Sequence, residues 1–128
     1  IVIFTDPEDV EWAPMPKVIA ALREELRGTG VDVLDCGERQ CEILPPGVNK
    51  GTGVLRLLEH LGGIPPSAIM ACGDAENDVE MLKLAGIGVA MGNAKPEARA
   101  AADQVVATND EDGVAEAVTR FVFGEPWG

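Results

Sequence analysis

The sequence is poor in aromatic and basic residues. It has no tyrosine, 4% aromatic residues, and 10 Lys and Arg against 22 Asp and Glu, which gives a formal net charge of -12. A chain this acidic is repelled by nucleic acid and by anionic membranes, and no cluster of Lys and Arg offsets that repulsion. We therefore expect neither nucleic acid nor a membrane surface among its partners.

Cysteine is also scarce. The three cysteines, Cys36, Cys41 and Cys72, follow no Cys-x-x-Cys spacing, which argues against a disulfide framework and a zinc site and predicts reduced, partly buried thiols. The pattern favours the cytoplasm or an organelle stroma, with a plastid among the alternatives, over secretion. No apolar run approaches the roughly 20 residues that span a bilayer, and none resembles a signal peptide, so membrane insertion is not expected.

Hydrophobic residues make up 46% of the 128 residues, which is typical of a packed domain. The sequence begins at Ile1, inside a predicted strand over residues 1–4, and we interpret it as a fragment, a processed product or the ordered part of something longer. Apolar periodicity changes near residue 46. Before that point we predict strands at 1–4, 31–34 and 40–44, a helix at 16–27, and turns at 5–9 and 35–39.

Beyond residue 46, helices and strands alternate. We predict helices at 50–60, 77–85, 95–102 and 111–123, and strands at 68–72, 88–90 and 105–106. This alternation indicates a parallel sheet covered by helices, so the predicted fold class is α/β with an α+β segment in front of it.

The most informative segment is the apolar strand 68–72 with the residues that follow it, Gly73-Asp74-Ala75-Glu76-Asn77-Asp78. In open parallel sheets, ligands bind beyond the carboxyl ends of the strands, where Asp74 would lie. Mg²⁺ usually takes one or two carboxylates together with phosphate and water, so Asp74 would be one ligand and not a whole site. Asn77 and Asp78 would begin the next helix, whose N-H groups favour an anion such as phosphate. Lys50, at an earlier helix start, would neutralise phosphoryl oxygens or a nearby carboxylate.

Each of these residues also has a structural interpretation. Asp74 can close a tight turn, Asn77 can cap the helix, and Asp78 can complement the helix dipole. Lys50 alone can be a surface lysine at a helix start. An EF-hand is excluded, because the sixth position of such a loop would be Val79, where the turn requires glycine.

Two other polar features suggest structural roles. His60, the only histidine, lies at a predicted helix end and is interpreted as a partner of the helix dipole. No serine or cysteine is placed as a nucleophile, which leaves a catalytic triad with little support. The acidic segment 109–113 is predicted to cap the last helix.

Four features occur in a familiar order along the chain: Lys50, the Gly73-Asp74-x-x-Asn77-Asp78 block, the segment 88–94 (Gly-Val-Ala-Met-Gly-Asn-Ala), and Asp112-Gly113-Val114. Together they resemble the haloacid dehalogenase (HAD) superfamily and, more narrowly, its Cof-type, type IIB capped phosphatases. The resemblance covers essentially the whole chain and is most specific from Glu42 to Phe123. It implies that residues 1–46 are the C-terminal part of a cap domain and 47–128 the C-terminal part of a Rossmann-like core.

Members of this family hydrolyse phosphomonoesters with Mg²⁺ through an aspartyl-phosphate intermediate. The resemblance implies catalytic roles for Lys50, which steadies nucleophile and phosphate, and for Asp78, a supporting carboxylate. It implies a phosphate contact for Lys50 and Asn77 and a metal ligand in Asp74. The expected substrate is a phosphorylated small molecule.

The first family motif, an Asp-x-Asp that carries the nucleophile, and the second-motif Ser or Thr both precede the cap and are missing here. The segment Ile3-Phe4-Thr5-Asp6-Pro7-Glu8 is not a first motif, because its Pro and Glu do not fit one. One hypothesis is the C-terminal half of a phosphohydrolase completed by an N-terminal half or a partner chain, and the alternative is an inactive structural or regulatory subunit of a larger assembly. A metal- or phosphate-binding module without turnover is a third. The first two predict instability of these residues alone, since strand 68–72 would lack neighbours.

Overall fold

The computed structural model describes residues 1–4, 14–37 and 39–128. Their contacts divide the chain into two compact units, Ile1–Asn49 and Lys50–Gly128. The turn predicted at residues 5–9 lies outside the described residues. Among those described, no helix has the length and apolar character that a membrane crossing requires.

The first unit is an antiparallel sheet with one helix packed on it. Strands β1 (Val2–Phe4), β2 (Asp32–Gly37) and β3 (Gln40–Leu44) lie in the order β1-β3-β2, and helix α1 covers Met15–Glu25. The core of this unit consists of Met15, Ile19, Val33 and Cys41. Arg23 fastens the helix to the sheet, because its Nε and Nη2 donate to the Val33 carbonyl oxygen at 3.0 and 2.7 Å.

Strand β2 is longer than the sequence predicts. The turn predicted at 35–39 is wrong over residues 35–37, because β2 continues to Gly37 with an irregular register between Asp35 and Gly37. The Gly37 N-H donates to Asp35 Oδ1 at 3.1 Å. Pairing with β3 therefore extends through residues whose own preference is for turns.

The second unit has the predicted alternation of helices and strands. Its strands β4 (Met70–Gly73), β5 (Ile87–Ala90) and β6 (Gln104–Val105) form a parallel sheet in the order β4-β5-β6. Its helices are α2 (Lys50–His60), α3 (Val79–Leu84), α4 (Pro96–Ala101) and α5 (Gly113–Ala117), the last continuing as a π-helical stretch, Val118–Phe123. The α/β fold class is confirmed. A core of Val89, Met91, Val106 and Ala117 lies between sheet and helices.

Several other element boundaries of the second unit differ from the prediction by two residues. A 3-10 turn covers Pro66–Ala68, so that β4 begins at Met70 and not at residue 68. Another covers Glu76–Asp78, ahead of α3. The last helix begins at Gly113 and not at 111, because Asp112 adopts a left-handed conformation with φ 60°.

Candidate active site

The candidate site lies where β4 ends. Asp74 follows the last residue of β4, Gly73, and the turn after β5 lies against this point. The Met91 N-H donates to the Gly73 carbonyl oxygen at 3.0 Å, and the Lys95 N-H donates to the Asp74 carbonyl oxygen at 2.8 Å. Parallel pairing thus brings the ends of two strands and their loops together, as expected of the carboxyl edge of such a sheet.

Asp78 is the centre of the hydrogen bonding. Its Oδ1 accepts from Lys50 Nζ at 2.5 Å, and its Oδ2 accepts from the backbone N-H groups of Asp74 at 2.9 Å and Ala75 at 3.1 Å. The Asp78 side chain is 5% exposed and that of Lys50 is 46% exposed. One buried carboxylate therefore joins the start of α2, the end of β4 and the turn before α3.

These contacts keep Asp78 ionised. Burial by itself would raise the pKa of this carboxyl, but the hydrogen bond from Lys50, the two backbone N-H groups and the lysine charge outweigh burial and hold the pKa below its ordinary value of 3.8. A deprotonated carboxylate can only accept hydrogen bonds. Asp78 is thus occupied as an acceptor and as the counter-ion of Lys50.

Glycine at position 73 makes room for this arrangement. A Cβ at Gly73 would lie 2.5 Å from Asp78 Cβ and 2.8 Å from its Cγ, well inside van der Waals contact. The absence of a side chain at the end of β4 thus lets the Asp78 carboxylate pack across the strand end. Spacing alone did not predict this role, although a glycine directly before the acidic residue at a strand end is the signal that could have.

Asp74 differs from Asp78 in its surroundings. Asp74 is exposed, and among the described residues its carboxylate makes no hydrogen bond or ion pair. Its backbone is held on both sides, since its N-H donates to Asp78 and its carbonyl oxygen accepts from Lys95. The main chain is therefore fixed while the carboxylate remains accessible from solvent.

This donor set fits part of a magnesium site. An exposed carboxylate is a ligand that Mg²⁺ accepts together with waters and a substrate phosphate. No group of three or more His, Cys, Asp or Glu side chains in the described part of the chain is arranged as a complete metal site. Asp74 would thus supply one ligand, and further ligands would come from elsewhere.

Asn77 and His60, the other two polar residues singled out in the sequence, lie in a buried turn and at a helix end. Asn77 is buried, with 9% exposure, inside the turn that precedes α3, where Ala75 and not Asn77 holds the N-terminal position. The N-cap of α3 itself is Asp78, so the alternative interpretation of Asn77 as the helix cap is wrong. His60 ends α2, the helix that Lys50 begins, so their main chains are about 15 Å apart.

The predicted cap of the last helix by the segment 109–113 is not formed by a side chain: Asn109–Glu111 is a 3-10 turn of its own, and Asp112, the N-cap of α5, makes no side-chain capping bond. Glu111 accepts from both the N-H and the hydroxyl of Thr108, at 3.4 and 2.8 Å, which is the capping-box arrangement. Thr108 lies one residue ahead of the predicted segment.

Cys72, in β4 next to Gly73, is not an activated thiol. Burial raises the pKa of its sulfhydryl, and the thiol, unlike the thiolate, is a poor nucleophile.

The chain matches known proteins along nearly all of its length. The family model of haloacid dehalogenase-like hydrolases covers residues 1–118. An Arabidopsis thaliana protein, "Endoribonuclease YBEY, chloroplastic", is 43% identical over 122 residues, which are 95% of this chain and 20% of that protein. A phosphoglycolate phosphatase of Methanothermobacter thermautotrophicus is 46% identical over 101 residues, which are 79% of this chain and 45% of that enzyme.

A solved structure supports the narrower resemblance. It is described as a HAD subclass IIB sugar phosphatase and superposes with a TM-score of 0.74 at 35% identity, covering 80% of this chain and 40% of its own. The chain thus spans less than half of the relatives it matches. With its parallel sheet, its Asp74 loop and a match over most of its length, the chain belongs to the haloacid dehalogenase-like hydrolase family.

Proposed function

We propose that this chain is the C-terminal half of a Mg²⁺-dependent phosphomonoester hydrolase whose nucleophile comes from an N-terminal segment or a partner chain. The observation that carries the proposal is the exposed carboxylate of Asp74 beside the ion pair between the partly exposed Lys50 and the buried Asp78, at the carboxyl end of β4. An arrangement with one accessible carboxylate and one partly exposed ammonium suits a metal-bound phosphate. The phosphatases among the relatives support this reading.

Each residue has a proposed role. Asp74 would hold Mg²⁺, which when bound neutralises phosphoryl charge. Lys50 would contact a phosphoryl oxygen or the nucleophile, and Asp78 would orient the ammonium group through their 2.5 Å contact. Asn77 would contribute an amide to the phosphate. The substrate is proposed to be a phosphorylated small molecule.

The domain assignment belongs to the same proposal. Residues 1–46 would be the end of a cap domain and residues 47–128 part of the core. The division of the chain between Asn49 and Lys50 supports this assignment.

The test is turnover of an aryl phosphomonoester by the complete polypeptide, with and without Mg²⁺. Asp74→Asn is expected to lower Mg²⁺-dependent kcat/KM by about 100-fold or more, since even the outer partners of metal ligands are commonly worth 10- to 100-fold. Asp32→Asn removes one exposed carboxylate from β2 in the other unit and serves as the matched control. Equal activity of the two variants would refute the metal role of Asp74.

A second candidate function is supported by the Arabidopsis relative. This chain corresponds to only 20% of that longer protein, whose printed name is that of an endoribonuclease and not of a phosphatase. The second candidate is therefore a HAD-like module with a structural or regulatory purpose inside a larger polypeptide. In that case no phosphomonoester turnover would be seen, and Asp74→Asn would leave assembly unchanged. The same relative favours a plastid stroma over the cytoplasm, which the location of a fluorescent fusion of the complete polypeptide would test.

A further inference from the structure

The backbone of Asp74 depends on the turn that follows β5. The Lys95 N-H donates to the Asp74 carbonyl oxygen at 2.8 Å, and the Met91 N-H donates to that of Gly73 at 3.0 Å. These two bonds come from the first and last residues of the segment 91–95. Any movement of this segment is therefore passed to the main chain of Asp74.

Two hydrogen bonds join the segment 91–95 to the chain that follows β6. The Gly92 N-H donates to the Ala107 carbonyl oxygen at 3.0 Å, and Asn93 Oδ1 accepts from the Asn109 N-H at 3.1 Å. A Cβ at Gly92 would lie 2.8 Å from the backbone nitrogen of Thr108, so the two chain segments are in direct backbone contact.

The remaining contact comes from an arginine. Arg99 Nη2 donates to the Gly92 carbonyl oxygen, and the Arg99 N-H donates to the Lys95 carbonyl oxygen at 3.0 Å. The second of these is an ordinary main-chain bond of the helix, so the bond that depends on arginine is the one to Gly92. A charged donor makes the stronger type of hydrogen bond.

The direction of the Arg99 side chain shows whether it stabilises α4 or positions the turn ahead of that helix. Arg99 lies in the last turn of α4, where a basic residue can complement the C-terminal end of the helix dipole. Its guanidinium instead reaches back to Gly92, ahead of the first residue of the helix. The contact is made to the turn that supports Asp74 and not to the final carbonyl groups of α4.

We propose that Arg99 is a positioning residue for Asp74. By holding the Gly92 carbonyl oxygen it keeps the segment 91–95 in the place from which Lys95 bonds the main chain of Asp74. Its effect on metal binding rests on the function proposed above, whereas its effect on the backbone does not.

The experiment compares Arg99→Gln, Arg99→Lys and the control Arg56→Gln in the complete polypeptide. Arg56 is an exposed arginine of α2 that no contact described above involves. The first measurement is amide hydrogen exchange at Lys95, whose N-H donates to the Asp74 carbonyl oxygen. We expect about tenfold faster exchange in Arg99→Gln, the equivalent of one lost hydrogen bond, partial recovery in Arg99→Lys and no change in Arg56→Gln.

The second measurement is the Mg²⁺ concentration that gives half-maximal turnover. We expect it to rise several-fold in Arg99→Gln, with kcat at saturating Mg²⁺ changed less, and to recover in Arg99→Lys. A variant that only melts earlier, with unchanged exchange at Lys95 and an unchanged Mg²⁺ requirement, would overturn the proposal. If the parent polypeptide shows no turnover, the proposed function fails, and exchange at Lys95 alone decides whether Arg99 positions the loop.

Discussion

Replacement of Gly73 by alanine should destabilise the second unit strongly. The new Cβ would lie 2.5 Å from Asp78 Cβ and 2.8 Å from its Cγ, and these atoms are close to the main chain, so no simple rotation relieves the overlap. Overpacking of this kind costs about 1 to 3 kcal/mol. Displacement of Asp78 would also weaken its bonds to the N-H groups of Asp74 and Ala75, worth about 1 kcal/mol each. We expect a total loss of about 3 kcal/mol.

Gly53 provides the matched control for this substitution. It lies inside α2, and a Cβ at this position would meet no atom within 4 Å. Gly53→Ala should therefore stabilise the protein by up to about 1 kcal/mol through helix propensity. Glycine-to-alanine replacement is thus expected to lower the free energy of unfolding at position 73 and to raise it at position 53 of the same unit.

Urea unfolding of the complete polypeptide measures both effects through the transition midpoint. Hydrogen exchange of peptides from β4 and α3 then assigns the loss to the second unit, which is needed because two units need not unfold in one transition. A Gly73→Ala variant as stable as the parent, or stabilised like Gly53→Ala, would show that Asp78 does not pack across the end of β4.

Two further predictions concern the same unit. The pKa of Asp78 lies below its ordinary value of 3.8, so the unfolded state binds the proton at a higher pH than the folded state does. Ionised Asp78 therefore stabilises the folded protein above pH 3.8, and this stabilisation is lost as the pH falls through the folded-state pKa. The melting temperature of Asp78→Asn should therefore fall less between neutral and acid pH than that of the parent protein. An equal fall in the two proteins would contradict the lowered pKa of Asp78. Gly86→Ala should lower stability by about 1 to 3 kcal/mol, because its Cβ would lie 2.2 Å from the Ser67 carbonyl oxygen; an unchanged melting temperature would disprove that close approach.

Local patterns were enough to predict the second unit and the position of Asp74. An apolar run followed by Gly73 and Asp74 predicts both a strand and its end, and the alternation with helices predicts parallel pairing. The extent of β2 was not predictable in this way. Its residues Asp35 to Gly37 favour turns by themselves, and their strand conformation depends on pairing with β3.

The partners of the site residues were the least predictable part. Sequence spacing suggests Asn77 as the cap, because an amide directly before an apolar helical pattern usually has that role. A 3-10 turn shifts the start of α3 to Val79, and the carboxylate of Asp78 accepts from the N-H groups of Asp74 and Ala75, which precede that turn. The position of Lys50 against Asp78 depends on how α2 packs in the second unit, which no local pattern encodes.

The hydrogen bonds of Asp78 also differ in the length of the chain loop that each one closes. The bonds to Asp74 and Ala75 span 4 and 3 residues, while the contact with Lys50 spans 28. Loop-closure entropy grows with the logarithm of length, so the longer loop costs about 1.7 kcal/mol more than the four-residue one. During folding, the loop that presents Asp74 can thus form from its own neighbours, whereas the lysine reaches its place only when α2 docks.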